Sequence, residues 1–180
     1  MAVLLFPDNT VLVNFALLGQ LDLLRHLANG HGRWCATVAA ECAASARRPE
    51  LGALTGARDI FGAPLSPTPA ELRDARLLRD QLASPGDHPF KHLGEAETIA
   101  IMTGRALDGI FVTDDNDAVR LATRHGVPVV RTWRLLQLAV RTSLADADAV
   151  WGYVQILRAR RRGSPPGVTD RPSFDKWLAS

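Results

Sequence analysis

The chain has 180 residues, 47% of them apolar and 22% charged, with a formal net charge of +2, which is the profile of one soluble globular domain. No apolar run reaches the roughly 18 residues that span a bilayer, and the opening MAVLLFPD lacks the basic start of a secretory signal. Two cysteines are too few for a disulfide scaffold or a zinc site of their own, so a cytoplasmic protein with no membrane partner is expected.

Residues 3–6 (VLLF) read as a first strand, followed by a helix over Thr10–Ala28. A short strand near Arg33–Ala36 leads into a helix with Thr37 as N-cap. Cys35 lies in an apolar stretch and Cys42 in a helical one, which predicts buried, reduced thiols. Residues 49–57 suggest a further short helix, and 58–67 carry no clear pattern. Thr68-Pro69-Ala70-Glu71 is a capping box with proline at the first helical position; Leu72, Ala75, Leu78 and Leu82 supply its apolar stripe. Ser84–His92 holds two prolines and a glycine and reads as a loop. A helix over Gly94–Ala106 comes next, then a strand at 110–113 (IFVT), a helix over Asp115–Arg124 and a strand at Pro128–Val130. Thr132 caps a helix to about residue 142, and a last long helix runs from Ala145 to Arg162. Gly163–Gly167 breaks it, and Phe174 with Trp177 marks a tail that docks by aromatic anchors. Short apolar runs alternating with helical patterns predict an α/β fold, with mostly parallel strands joined by crossover helices.

The acids are placed at the ends of those strands. Asp8 follows the first, Glu41 sits one turn past the second, and Asp114 and Asp115 follow IFVT. In an open parallel sheet, ligands bind in the crevice beyond the carboxyl ends of the strands. Gly94-Glu95-Ala96-Glu97 opens an otherwise apolar helix. Residues two apart on a helix point in opposite directions, so one of the two glutamates faces the cleft. Glu97 shares a row with Ala100, Ile101 and Gly104 and is expected to pack toward the sheet. Gathered carboxylates repel one another unless a cation joins them, and all-oxygen ligation suits Mg2+ or Mn2+.

These segments also carry a resemblance. Phe6-Pro7-Asp8-Asn9-Thr10-Val11-Leu12-Val13-Asn14 resembles the opening strand and turn of PIN-domain ribonucleases, and Val38-Ala39-Ala40-Glu41 resembles their second acidic motif. Leu93-Gly94-Glu95-Ala96-Glu97-Thr98-Ile99-Ala100 and Val112-Thr113-Asp114-Asp115-Asn116-Asp117 resemble the third and fourth. The likeness covers roughly residues 3–131 and is strongest to the branch described only as nucleic-acid-binding. It implies a three-layer α/β/α PIN-like fold, with a central, mostly parallel sheet and helices on both faces. A nuclease domain would span 1–144, with a C-terminal helix and tail (145–180) packed on it. It implies a Mg2+- or Mn2+-dependent endoribonuclease with Asp8, Glu41, Glu97 and Asp115 as catalytic acids. Asp8, Glu97 and Asp115 would hold the ion, and Glu41 would complete the shell or orient the nucleophile. Asp114 and Asp117 are further metal candidates; Glu95, Asn9, Thr10 and Thr113 are secondary ones. The choices between Glu95 and Glu97, and between Asp114 and Asp115, stay open. Family members commonly form homodimers and pair with an antitoxin protein, so RNA, a second copy and a cognate antitoxin are the implied partners. The chain departs from the pattern at position 97, Glu where Asp is frequent, and at Asn9, where a small hydroxyl residue is common.

Each acid also has a local explanation: Asp8, Asn9 and Thr10 as helix caps, Glu41 as a solvated helix residue, Asp114 and Asp115 as favourable charges at a helix start. It is their joint placement at one sheet edge that favours a site. Arg131 and Arg134 flank the final strand and are candidate RNA contacts. The arginines at 158 and 160–162 read as a solvated helix end, and Trp133, Trp151 and Trp177 as core or interface anchors. The five histidines show no ligand spacing, although His92 lies nearest the acids. A receiver domain would need a lysine after a late strand, a haloacid-dehalogenase-type phosphatase a second acid at position 10, and a nucleotide-binding fold a glycine-rich turn; all are missing. The remaining rival is a non-catalytic RNA-binding or antitoxin-binding module on the same scaffold.

Overall fold

The structure, a computed structural model, describes residues 3–180; the first two residues of MAVLLFPD lie outside the described part. Three parallel strands form the sheet in the order β1 (Leu4–Pro7), β2 (Gly109–Val112), β3 (Val129–Val130). Leu4 to Pro7 pair with Gly109 to Val112 residue for residue. Alternate side chains leave opposite faces, as the strand period of two requires. Leu5 and Val112 enter one apolar cluster, Phe6 and Phe111 another. Both clusters are completed by helices, so the protein is an α/β fold around a small parallel sheet.

The strand expected near Arg33–Ala36 does not form. On the edge of β1 opposite β2, the chain makes one bridge at Gly32, with Leu5 N–H donating to His31 O and Arg33 N–H to Leu5 O. Cys35 bridges Leu65, and the backbone turns helical at Ala36 before a ladder can extend. Gly32 is required there: a Cβ would stand 2.7 Å from the Phe61 ring. The helix expected over 10–28 is two helices, α1 (Asn9–Leu17) and α2 (Leu21–Ala28). Gly19 separates them at φ +65, a left-handed turn that glycine adopts without penalty.

Helix α3 (Ala36–Ser45) is capped by the Cys35 sulfur, which accepts from Val38 N–H, and Thr37 is not the cap. Burial lifts the Cys35 thiol to about 12 and the Cys42 thiol to about 11, which keeps both protonated. A 3-10 helix (Pro49–Gly56) and α4 (Arg58–Phe61) follow, the latter in a stretch with no sequence pattern. The capping box at Thr68 forms as expected and starts α5 (Pro69–Leu82). Ala75, Leu78 and Leu82 are buried along it, while Leu72 is exposed.

The remaining helices are α6 (Leu93–Gly104), α7 (Asn116–Arg124), α8 (Thr132–Arg141), α9 (Ala147–Ala159) and α10 (Arg171–Ala179). The aromatic tail is helical: Phe174 is fully buried between Trp151 and Trp177, with ring centroids 5.2 and 5.6 Å away. The basic end of α9 is only partly solvated. Arg158 donates to the carbonyls of Val168 and Thr169, and Arg162 turns inward to α1. No helix of the described residues is long and apolar enough to cross a membrane.

Candidate metal centre

The segment after β1 bridges one of its edges at Gly32, while β2 pairs with the other. The chain therefore changes sides at β1, the topological position at which open parallel sheets place a ligand, beyond the carboxyl ends of β1 and β2. Asp8 follows β1 directly, and its N–H donates to Val112 O at 2.8 Å. Thr113 N–H in turn donates to Val130 O at 3.1 Å. The residues leaving the three strands are thereby tied side by side.

Asp8 is 3% exposed and caps α1, accepting from Asn9 N–H, Thr10 N–H and the Thr10 hydroxyl. Burial lifts its carboxyl above the ordinary range and the charge of Asp115 adds to that, against the lowering bonds from Thr10 and Asn9. Asp115 caps α7 through one oxygen, Oδ1, which accepts from Asp117 N–H at 2.7 Å and Ala118 N–H at 2.9 Å. Its other oxygen makes no hydrogen bond among the described residues. Asp114, one residue earlier, points elsewhere. It accepts from Thr132 N–H (2.9 Å), the Thr132 hydroxyl (2.6 Å) and Asn14 Nδ2 (2.9 Å), and so holds the start of α8.

The two glutamates of α6 divide in the same way. Glu97 is buried, and its two oxygens accept from Thr37 N–H (3.0 Å) and the Thr37 hydroxyl (2.7 Å), closing on the first turn of α3. Glu95 faces the other carboxylates. Burial, then the charge of Asp8, with Asp115 and Glu41 adding, raises it to about 8. Glu41 reaches across from α3, and its oxygens lie 3.0 and 3.3 Å from where a Cβ on Gly94 would stand. A side chain at 94 would displace it, which accounts for glycine in the first turn of α6. Burial, with Asp8 and Glu97 adding, raises Glu41 to about 7.

Glu95 and Asp115 offer ligand atoms within 4.8 Å of each other, and among the described residues no lysine or arginine pairs with Asp8, Glu41, Glu95 or Asp115. Buried and half-buried carboxylates without a cationic partner fit a hard divalent cation, which takes oxygen donors and offsets their repulsion.

The other sequence-derived candidates surround this group. Asp117 is exposed and pairs with Arg120. Asn9 donates to Ser45 Oγ at 3.2 Å, and its buried Oδ1 has no partner. Thr113 is fully buried and accepts from Asp115 N–H, shaping the turn. Arg131 straps the same turn, donating to Asp114 O (2.8 Å) and Asn116 Oδ1 (2.7 Å). Arg134 is exposed, bonds Gln137, and lines with Arg131, Trp133 and Trp177 a concavity of about 380 Å³.

Four supporting residues, Asn14, Arg162, Thr37 and Thr132, have a part in the site that the sequence does not assign them. Asn14 joins Asp114 to Arg162, whose Nε donates to Asn14 Oδ1 at 2.7 Å while Nη2 donates to Thr10 O at 3.0 Å. Thr37 and Thr132 receive the two acids that do not face the cleft. A lone asparagine inside the apolar run VLVNFALL is the available signal for Asn14; Thr37 and Thr132 read from sequence only as helix caps, and Arg162 only as part of a solvated helix end. Comparison with protein-family models, with curated proteins and with solved structures returns no match, so the reading of the site rests on its own residues.

Proposed function

We propose that this protein is a Mg2+- or Mn2+-dependent endoribonuclease on a three-layer PIN-like scaffold, with Asp8, Glu41, Glu95 and Asp115 as its working acids. The observation that carries the reading is the placement of Asp8 and Asp115 after adjacent parallel strands, with Glu41 brought beside the first turn of α6 and with ligand atoms of Glu95 and Asp115 within 4.8 Å of each other. A divalent cation held there supplies Lewis-acid activation of water and neutralises charge growing on a phosphodiester. Asp8, Glu95 and Asp115 are the residues that would hold it. Glu41, on its own helix, orients the attacking water by accepting its hydrogen bond. Glu97 and Asp114 keep the frame: one fixes α3, which carries Glu41, and the other fixes the turn that carries Asp115. Arg134, exposed at the rim of its concavity, offers positive charge to the RNA backbone. An antitoxin partner and a homodimer belong to the same proposal, through the PIN resemblance.

Single-turnover cleavage of RNA with Mn2+ tests this. Asp8→Asn and Asp115→Asn are each expected to slow cleavage by about 100-fold or more, the scale of one lost electrostatic contact to the transition state. Wild-type rates in both variants would remove these acids from the chemistry. RNA binding without cleavage in the wild type would leave a binding module.

A further inference from the structure

One group beside the four acids is still unused. His92 immediately precedes α6, and its side chain is 10% exposed. Its Nδ1 is buried and has no hydrogen-bond partner. A ring nitrogen deprived of water and left without a donor or acceptor is uncommon in a folded chain, and it points to something that occupies the position. The nearest acid oxygen, Glu95 Oε1, stands 3.7 Å from it. One ligand atom each from His92, Glu95 and Asp115 lies within 4.8 Å of the other two. Atoms sharing one ion at about 2.1 Å stand at most about 4.2 Å apart, so only about half an ångström of closure is needed.

We propose that His92 is a nitrogen ligand of the cation, through Nδ1, beside Glu95 and Asp115, and that the site therefore prefers Mn2+ to Mg2+. The inference rests on the metal-centre reading above and narrows it. Magnesium takes oxygen donors and sheds water reluctantly, whereas imidazole nitrogen is a good donor to first-row transition ions. A purely carboxylate site discriminates weakly between the two ions; one imidazole shifts the balance to manganese. An imidazolium paired with Glu95 is the competing arrangement, and it predicts no metal–nitrogen bond.

Electron spin-echo spectroscopy of the Mn2+-loaded full chain reads that bond as nitrogen modulation from a coordinated imidazole. Titration calorimetry reads the affinities of Mn2+ and Mg2+. The wild type is expected to show the modulation and to bind Mn2+ the more tightly. His92→Ala is expected to lose the modulation and to weaken Mn2+ by about tenfold or more, with Mg2+ changed far less. Mn2+ bound without nitrogen modulation overturns the inference, as does an equal loss for both ions in the variant. Should His92→Ala fail to fold, the wild-type spectrum alone decides. Asp115→Asn separates the two levels of argument: if it abolishes binding while His92→Ala has no effect, the metal centre stands and the histidine ligand falls. A wild type that binds neither ion removes both.

Discussion

Replacing Glu95 with glutamine removes a charge that the folded protein holds against its neighbours while keeping the side chain's shape. The folded carboxyl titrates at about 8 against an ordinary value of 4.5. A group raised on folding contributes its stability in full below the unfolded value and loses it as pH rises through the folded one. Near pH 8 the unfolded chain carries this glutamate ionised, and the folded chain is disfavoured by up to about 4 kcal/mol on that account. Relaxation of Asp8, Glu41 and Asp115 reduces the figure, so Glu95→Gln should be stabilised by roughly 2–4 kcal/mol in chelator near pH 8 and hardly at all near pH 4. Little solvent screening offsets this, because the side chain is only 13% exposed. Cation narrows the gap: Mn2+ at about 100 times its Kd adds about 2.7 kcal/mol to the wild type and much less to a variant missing a ligand. Urea unfolding followed by circular dichroism, with chelator and with Mn2+, measures all four free energies. A Glu95→Gln protein less stable than wild type in chelator, or one that gains as much from Mn2+, would refute the reasoning.

Glu97→Gln is the paired control: it weakens the two Thr37 contacts, so urea unfolding should show a loss of about 1–3 kcal/mol, equal with and without cation. Arg162→Met leaves Asn14 Oδ1 buried without its donor; about 1–3 kcal/mol of stability should go, and Mn2+ affinity by calorimetry should fall with it as the support of Asp114 loosens. Glu71 is held down to about 2, first by its bonds to Arg105. Its contribution is fully present above the ordinary 4.5 and disappears as pH falls through the folded value, so Arg105→Ala should flatten the acid limb of a urea-midpoint profile. An unchanged limb would place acid sensitivity elsewhere.

Local chemistry in the sequence determined a good part of this protein. The capping box at Thr68, the short apolar runs of the three strands and the acids that follow them all act within a few residues of themselves. The capping role of Asp8 and Asp115 was legible in the sequence and is what the structure shows. Asp8 caps α1, and Asp115 caps α7 with one oxygen. Tertiary structure decided the rest. Neighbouring acids such as Asp114 and Asp115, or Glu95 and Glu97, differ only by a rotation about the backbone. Which of each pair reaches the cleft depends on donors brought from afar: Thr132 for Asp114, and Thr37, 60 residues away, for Glu97. Arg162 meets Asn14 across 148 residues. The apolar run at 33–36 looks like a strand in sequence, but a strand exists only where a partner supplies a ladder, and past Gly32 the fold provides none beyond a single bridge at Cys35. Side-chain type and spacing are local properties. The partner that occupies a hydrogen-bonding group is a property of the folded whole, because chain closure alone brings distant donors and acceptors within 3 Å.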